Sequence, residues 1–80
     1  MATVLDRVKK LLMDLMSVPE DAAGDRSKKF QEDLGLDELD TVELIMACEE
    51  EFGIAISDDE ADHVPTIGDL VDLIEKKFGN

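Results

Sequence analysis

Residues 33–52 decide the fold of this chain, and they read Asp-Leu-Gly-Leu-Asp-Glu-Leu-Asp-Thr-Val-Glu-Leu-Ile-Met-Ala-Cys-Glu-Glu-Glu-Phe. Gly35 permits a tight turn, because glycine adopts backbone conformations that other residues avoid. Asp37 is a favourable N-cap residue, and Asp40 three residues later suits the positive end of a helix dipole. The apolar residues that follow recur at helical spacing. The stretch therefore predicts a tight turn that leads into an amphipathic helix.

This central helix carries two apolar stripes, and Gly53 directly after it is a natural stop. The first stripe is Leu39, Val42 and Met46, and the second is Leu44, Ile45, Cys48 and Phe52. A helix with two stripes can bury one and present the other to a partner. We expect the second stripe to be buried and the first to be exposed, with acidic residues beside it. The alternative is that both stripes are buried.

Capping residues predict where three further helices begin. Each start is a hydroxyl residue followed three positions later by an acid: Thr3 and Asp6, Ser57 and Glu60, and Thr66 and Asp69. Pro19 is expected to end the first of these helices, and the short helix after Ser57 is expected to end near His63. The connection over residues 17–29 should contain a turn of helix, followed by the buried anchors Phe30 and Leu34.

The first and last helices carry apolar stripes of their own. The expected buried residues are Val4, Leu5, Val8, Leu11, Leu12, Leu15 and Met16 in the first, and Ile67, Leu70, Val71, Ile74 and Phe78 in the last. These stripes can be buried only if the helices pack around one core. We predict an all-α fold, a four-helix bundle of three main helices and one short helix, as a single domain over residues 1–80.

The charge is strongly acidic and unevenly distributed. The chain has 8 Lys and Arg against 21 Asp and Glu, for a net charge of −13, and no Lys or Arg lies between Lys29 and Lys76. Such a field repels nucleic acid and anionic membranes and attracts basic protein surfaces. The alternative is that the acids only form a solvated surface.

Cysteine content and the N-terminal residues bear on location. Cys48 is the only cysteine, so no internal disulfide can form, which fits a reduced compartment. The N-terminal residues lack the apolar core of a signal peptide, and no apolar run is long enough to span a bilayer. We predict a soluble cytoplasmic protein without membrane insertion, or one in an organelle matrix after removal of a transit peptide.

The central stretch resembles the modification loop and second helix of acyl carrier proteins. The motif is Asp-Leu-Gly-x-Asp-x-Leu-Asp-x-Val-Glu-Leu over residues 33–44, followed by Glu-Glu-Glu-Phe. Further similarities are Phe-x-Glu-Asp-Leu-Gly from Phe30, Phe-Gly-Ile-x-Ile from Phe52 and Asp-x-Glu-Ala from Asp58. The resemblance covers nearly the whole chain and implies a carrier domain of fatty-acid or polyketide-type synthesis, with a bundle of the acyl-carrier-protein type.

One position departs from that family. Acyl carrier proteins have a Ser whose hydroxyl takes the 4'-phosphopantetheine arm, and this chain has Glu38 there. A carboxylate cannot replace that hydroxyl in a stable phosphodiester, so we predict no cofactor for the chain as written. Other hydroxyl residues lie outside the motif, namely Ser17, Ser27, Thr41 and Ser57.

Three interpretations of Glu38 are open. It can be simply a favourable first-turn helix residue, worth about 0.3–1 kcal/mol. Its carboxylate can also partly mimic the anion of the phosphodiester, so that partners that read this anion still dock. The third interpretation is a functional carrier whose Ser was substituted to block modification.

The resemblance also implies two sites. The partner-docking surface would be Asp37, Leu39, Asp40, Val42, Glu43, Met46, Glu49 and Glu50. The acyl pocket would be Phe30, Leu44, Cys48, Ile56, Ala61, Val64, Leu70 and Ile74. Cys48 is smaller and Leu70 larger than the residues frequent in the family, an exchange that can conserve core volume.

The predicted function follows from these sites. We expect a monomeric, apo-like protein that docks on basic surfaces of fatty-acid or polyketide synthesis enzymes, as a paralogue or decoy. The alternative is a small acidic interaction domain unrelated to acyl transfer. No enzymatic activity is predicted, because His63 has no nucleophile pattern near it and no carboxylate pair is marked out for acid–base chemistry. No metal site is predicted, since the acids at residues 58–62 lack the spacing of a calcium loop.

Overall fold

The structure is a computed structural model that describes residues 2–78. Its helices are α1 (Val4–Met16), α2 (Glu20–Ala23), α3 (Glu38–Phe52), α4 (Asp58–Ala61) and α5 (Ile67–Phe78). The described residues contain no strand, only one isolated antiparallel bridge between Lys29 and Thr66. The all-α prediction is confirmed. The turn of helix expected in the first connection is α2, and the predicted short helix is α4.

The predicted helix starts are confirmed, three by reciprocal caps and the fourth by a single cap hydrogen bond. Thr3 and Asp6 form a capping box at α1, as do Asp37 and Asp40 at α3 and Ser57 and Glu60 at α4. At α5 the N–H of Asp69 donates to Thr66 Oγ1 at 3.1 Å. These caps lie within three residues of the groups that they satisfy, which is why the sequence alone identifies them.

Two predicted helix ends were placed too far along the chain. α1 ends at Met16 because Ser17 adopts a left-handed conformation, with φ 55°, and its N–H donates to the carbonyl of Leu12. Pro19 instead precedes the first residue of α2. α4 ends at Ala61 rather than near His63. α3 ends at Phe52 with Gly53 as its C-cap, as predicted.

The core forms where α1, α3 and α5 meet. Its buried apolar residues are Val8, Leu12, Val18, Ala23, Phe30, Leu36, Leu44, Ile45, Cys48, Phe52, Ile56, Val64, Ile67, Leu70, Val71 and Ile74. Every residue of the second stripe of α3 is among them, as predicted. No buried side-chain nitrogen or oxygen lacks a hydrogen-bond partner within residues 2–78.

Two residues predicted to be buried are exposed. The side of α1 that faces the core contains the buried Leu12 and, four residues later, Met16. Leu15 lies outside that side of the helix and is therefore exposed. Phe78 lies at the end of α5, where its ring packs edge to face on Phe52 with centroids 5.2 Å apart. The guanidinium of Arg7 lies 4.4 Å from the Phe52 ring centroid and 5.2 Å from that of Phe78.

The first connection is tied to the start of α5, which fixes the loop that leads to α3. The N–H of Ile67 donates to the carbonyl of Lys28 at 3.0 Å, and the N–H of Gly68 donates to that of Arg26 at 2.9 Å. Helix N-termini leave such N–H groups without intrahelical partners, so these bonds satisfy them. A Cβ at position 68 would lie 3.0 Å from the carbonyl oxygen of Arg26, which explains the glycine.

Candidate docking surface and prosthetic-group position

The junction before α3 is held by the capping box. Asp37 Oδ1 accepts from the N–H of Asp40 at 2.8 Å, and Asp40 Oδ2 accepts from the N–H of Asp37 at 3.2 Å. Gly35, with φ 69°, makes the turn before this box. Glu38 is the first residue of α3 and is exposed. Its carboxylate makes no hydrogen bond or ion pair within residues 2–78 and is therefore a free negative charge.

The residues at this junction do not fit a phosphopantetheine arm joined by a phosphodiester. Such an ester needs a hydroxyl, and Glu38 provides a carboxylate. The hydroxyl of Thr41, one turn along α3, donates to the carbonyl of Asp37 at 3.0 Å. The hydroxyls of Ser27 and Ser57 donate to nearby carboxylates, that of Ser27 to Asp25 at 2.6 Å and that of Ser57 to Glu60 at 3.2 Å. Position 38 itself offers a carboxylate and no hydroxyl.

The first apolar stripe of α3 is exposed, as predicted. The exposed fractions are 69% for Leu39, 48% for Val42 and 56% for Met46. With about 3.6 residues per turn, Glu38 and Glu49 flank this stripe on one side and Glu43 and Glu50 on the other. The result is an apolar strip between two rows of acids, a surface of the kind that a basic partner with an apolar centre would match.

The acids beside the stripe differ in their roles. Glu49 is half-buried, and its Oε2 accepts from the N–H of Ile56 at 2.8 Å, so it holds the loop between α3 and α4. Glu43 and Glu50 are exposed and make no hydrogen bond or ion pair within residues 2–78. Of the predicted docking acids, Glu43 and Glu50 are thus the free charges, whereas Glu49 also stabilises the fold.

An open groove of about 680 Å³ lies between α3, α4 and residues 29–32. Its apolar lining comes from Phe30, Val42, Ile45, Met46, Ile56, Ala61 and Pro65. Acids from several elements also line it, namely Glu32, Glu38, Glu49, Asp58 and Asp62. The sequence pattern did not indicate the α4 acids as groove residues, because no pattern within one helix predicts which element packs beside it.

The predicted acyl-pocket residues divide into two groups. Phe30, Ile56 and Ala61 line the groove. Leu44, Cys48, Val64, Leu70 and Ile74 are buried in the core and do not line it. The groove is therefore lined by only three of the eight predicted residues.

The buried thiol and the single histidine are poorly suited to catalysis. Burial, together with the charges of Glu51 and Glu49, raises the pKa of Cys48 to about 12, so the thiol stays protonated. His63 is exposed, and its Nδ1 donates to the carbonyl of Asp59 at 2.7 Å, which raises its pKa.

Over residues 2–78, no three His, Cys, Asp or Glu side chains are grouped to hold a metal ion. The same residues include no helix that could cross a membrane.

Comparison with known proteins identifies the family. The profile of the family described as "Phosphopantetheine attachment site" matches residues 6–74. Acyl carrier proteins from Sinorhizobium fredii and Rhizobium meliloti are each 49% identical over 76 residues, which is 95% of this chain and 96% of the relative. The chain belongs to the acyl carrier protein family. The prediction that it is a carrier and not an enzyme is confirmed by that membership.

Proposed function

We propose that this chain acts in fatty-acid biosynthesis as a docking protein without an attached arm. It engages carrier-dependent enzymes through the exposed face of α3, defined here by Leu39, Val42 and Met46 with the free acids Glu43 and Glu50. The observation that carries this proposal is the combination of that exposed face with a carboxylate at position 38. The prosthetic group of the family, 4'-phosphopantetheine, has no acceptor at this position in this chain.

Charge distribution supports basic partners and a monomer. Ion pairs join Arg7 to Glu51, Lys9 to Glu20, Arg26 to Asp72, Lys29 to Glu32 and Lys77 to Glu60. In the described part of the chain, none of these cations pairs with Glu38, Glu43 or Glu50. The face therefore keeps its negative field, which attracts a basic surface and repels a second copy of the same face. The bacterial origin of the two relatives supports action in the cytoplasm.

The free carboxylate of Glu38 supports docking in which partner enzymes recognise the negative charge at this position. A carrier with its arm attached has a phosphodiester anion at this position, and Glu38 supplies a negative charge at the same residue. Enzymes that recognise the anion would then bind the chain without receiving an acyl group. The chain would occupy their docking sites as a decoy.

The first experiment tests the loss of the arm. The protein is incubated with coenzyme A and a phosphopantetheinyl transferase, and its intact mass is measured beside a Ser-bearing relative. We expect no mass gain for the wild type and a full gain for Glu38→Ser, because only a hydroxyl forms the stable ester. A pantetheine adduct on the wild-type chain would refute the proposal.

The second experiment tests the decoy. The wild type, Glu38→Gln and Glu38→Ser compete with a loaded, Ser-bearing carrier for a carrier-dependent enzyme. Gln keeps the size of Glu and removes its charge, so it isolates the anion. We expect the wild type to compete more strongly than either variant. Equal competition by all three would mean that Glu38 is only a helix residue, and no competition would refute docking.

A further inference from the structure

α3 carries two sulfur-containing residues, and they lie in opposite environments. Met46 is 56% exposed, is the last apolar residue of the exposed face, and also lines the groove. Cys48, two residues later, is completely buried. On α1, Met13 is 36% exposed and Met16 is half-buried. Met46 is therefore the more exposed of these methionines, and the only one of them in the exposed face.

We infer that Met46 is a site of reversible oxidation by hydrogen peroxide, and that its sulfoxide switches off the apolar docking face. The consequence for partners rests on the proposed docking function. The chemical step and the change in the face itself do not depend on it. The site needs no catalytic group in the protein, because an exposed thioether reacts directly with peroxide.

The step is a two-electron oxygen transfer. A lone pair of the Met46 sulfur attacks one peroxide oxygen, the O–O bond breaks, and a sulfur–oxygen bond forms. The other oxygen leaves as water after a proton moves to it. The sulfur is oxidised and the peroxide is reduced. A methionine sulfoxide reductase reverses the change, with a dithiol oxidised to a disulfide and the oxygen released as water.

The surroundings of Met46 favour a neutral oxidant. Glu43 and Glu50 carry free negative charges on the same face, and Glu49 lines the groove beside Met46. These charges repel anionic oxidants such as hypochlorite but not hydrogen peroxide. The product places a polar S=O group at the C-terminal end of the apolar stripe, where Val42 and Met46 both line the groove. Since a sulfoxide is polar, oxidation removes one of the three apolar side chains of the stripe and leaves only Leu39 and Val42.

The first test follows the chemistry. The folded protein is treated with hydrogen peroxide, and oxygen addition at each methionine is measured by mass spectrometry of its peptides over time. We expect Met46 to react faster than the half-buried Met16, and the difference to vanish when the chain is unfolded in urea. If Met46 reacts no faster than Met16 in the folded protein, the inference is wrong.

The second test follows the face, with and without a partner. The wild type, Met46→Leu and Met13→Leu are each measured before and after treatment with hydrogen peroxide. Two quantities are compared, namely retention on a hydrophobic-interaction column and affinity for a carrier-dependent enzyme. We expect oxidation to reduce retention and to weaken affinity by about tenfold in the wild type and in Met13→Leu, with recovery after reductase treatment. Met46→Leu keeps an apolar side chain without sulfur, so it should resist both changes.

The outcomes separate the two proposals. Loss of retention in peroxide-treated Met46→Leu would overturn the inference, as would unchanged retention of the oxidised wild type. If the unoxidised wild type binds no partner, the docking proposal fails. The column retention and the peptide masses then still decide whether oxidation of Met46 makes the exposed face less apolar.

Discussion

The two apolar stripes of α3 are similar in composition but lie in opposite environments. Leu44, Ile45, Cys48 and Phe52 are buried, whereas Leu39, Val42 and Met46 are exposed. The buried stripe faces the core shared with α1 and α5. The exposed stripe lies between Glu38 and Glu49 on one side and Glu43 and Glu50 on the other, and acids so placed would lose hydration if the stripe were buried. Apolar spacing therefore predicts a helix, and the neighbouring charges indicate which stripe remains at the surface.

The largest expected difference between the two stripes is in folding stability. Leu44→Ala should lower the free energy of unfolding by about 2–5 kcal/mol, because it leaves a cavity at a completely buried position. The matched variant Leu39→Ala, on the exposed stripe, should change it by less than about 0.5 kcal/mol. Urea unfolding followed by circular dichroism measures both. Similar losses in the two variants would contradict the assignment of faces.

A second test uses the thiol of the buried stripe. The pKa of Cys48 is raised from the ordinary value of 9.0 to about 12. Near neutral pH, its thiolate fraction is therefore about a thousandfold lower than that of an exposed cysteine. Alkylation by iodoacetamide should be slow in the folded protein and fast in urea, and Leu44→Ala should accelerate it by populating open states. The rate is measured by mass. Rapid alkylation of the folded wild type would show that this stripe is accessible.

A third test compares two neighbouring acids. Glu49→Ala removes the carboxylate that accepts from the N–H of Ile56, and it should cost about 1–2 kcal/mol of unfolding free energy. Glu50→Ala removes the same charge from an exposed side chain without a partner, so it should change stability by less than about 0.5 kcal/mol. Denaturant unfolding of both variants provides the comparison. Equal effects would indicate that net charge, and not the hydrogen bond, stabilises the loop.

The smallest expected effects concern docking rates. The double variant Glu43→Lys and Glu50→Lys should slow association with a carrier-dependent enzyme by about tenfold at low salt. This difference should shrink near physiological ionic strength, where charges further apart than about 8 Å are largely screened. Val42→Ala should mainly raise the dissociation rate, by a few fold, through lost apolar contact. Surface plasmon resonance over a salt series measures both rates.

A control variant for this experiment has the same net charge as the double variant of Glu43 and Glu50. Asp14→Lys with Asp21→Lys changes two exposed acids outside α3, so the chain gains the same charge without altering the exposed face of α3. Association by this control should remain close to that of the wild type. A comparable slowing would mean that the total charge, and not the face of α3, steers the partner.

The sequence by itself determined the features that depend on residues close along the chain. The capping pairs Thr3–Asp6, Asp37–Asp40 and Ser57–Glu60 fix helix starts, because a cap satisfies N–H groups only three residues away. The spacing of apolar residues and acids separated the two stripes of α3. The motif around position 38 identified the family, and the residue at position 38 within that motif is Glu.

The tertiary structure decided what depends on elements distant in sequence. The groove exists because α4 and residues 29–32 lie beside α3, and no pattern within α3 predicts these neighbours. The sequence indicates that Glu49 is a surface acid. In the structure, the loop after α3 brings the N–H of Ile56 into hydrogen-bond contact with the Glu49 carboxylate. Phe78 has helical spacing like its buried neighbours, yet it lies at the end of α5, where the core ends, and Leu15 lies on the side of α1 that faces away from the core. Periodicity gives a face to each helix, whereas packing determines how far along that face the core extends.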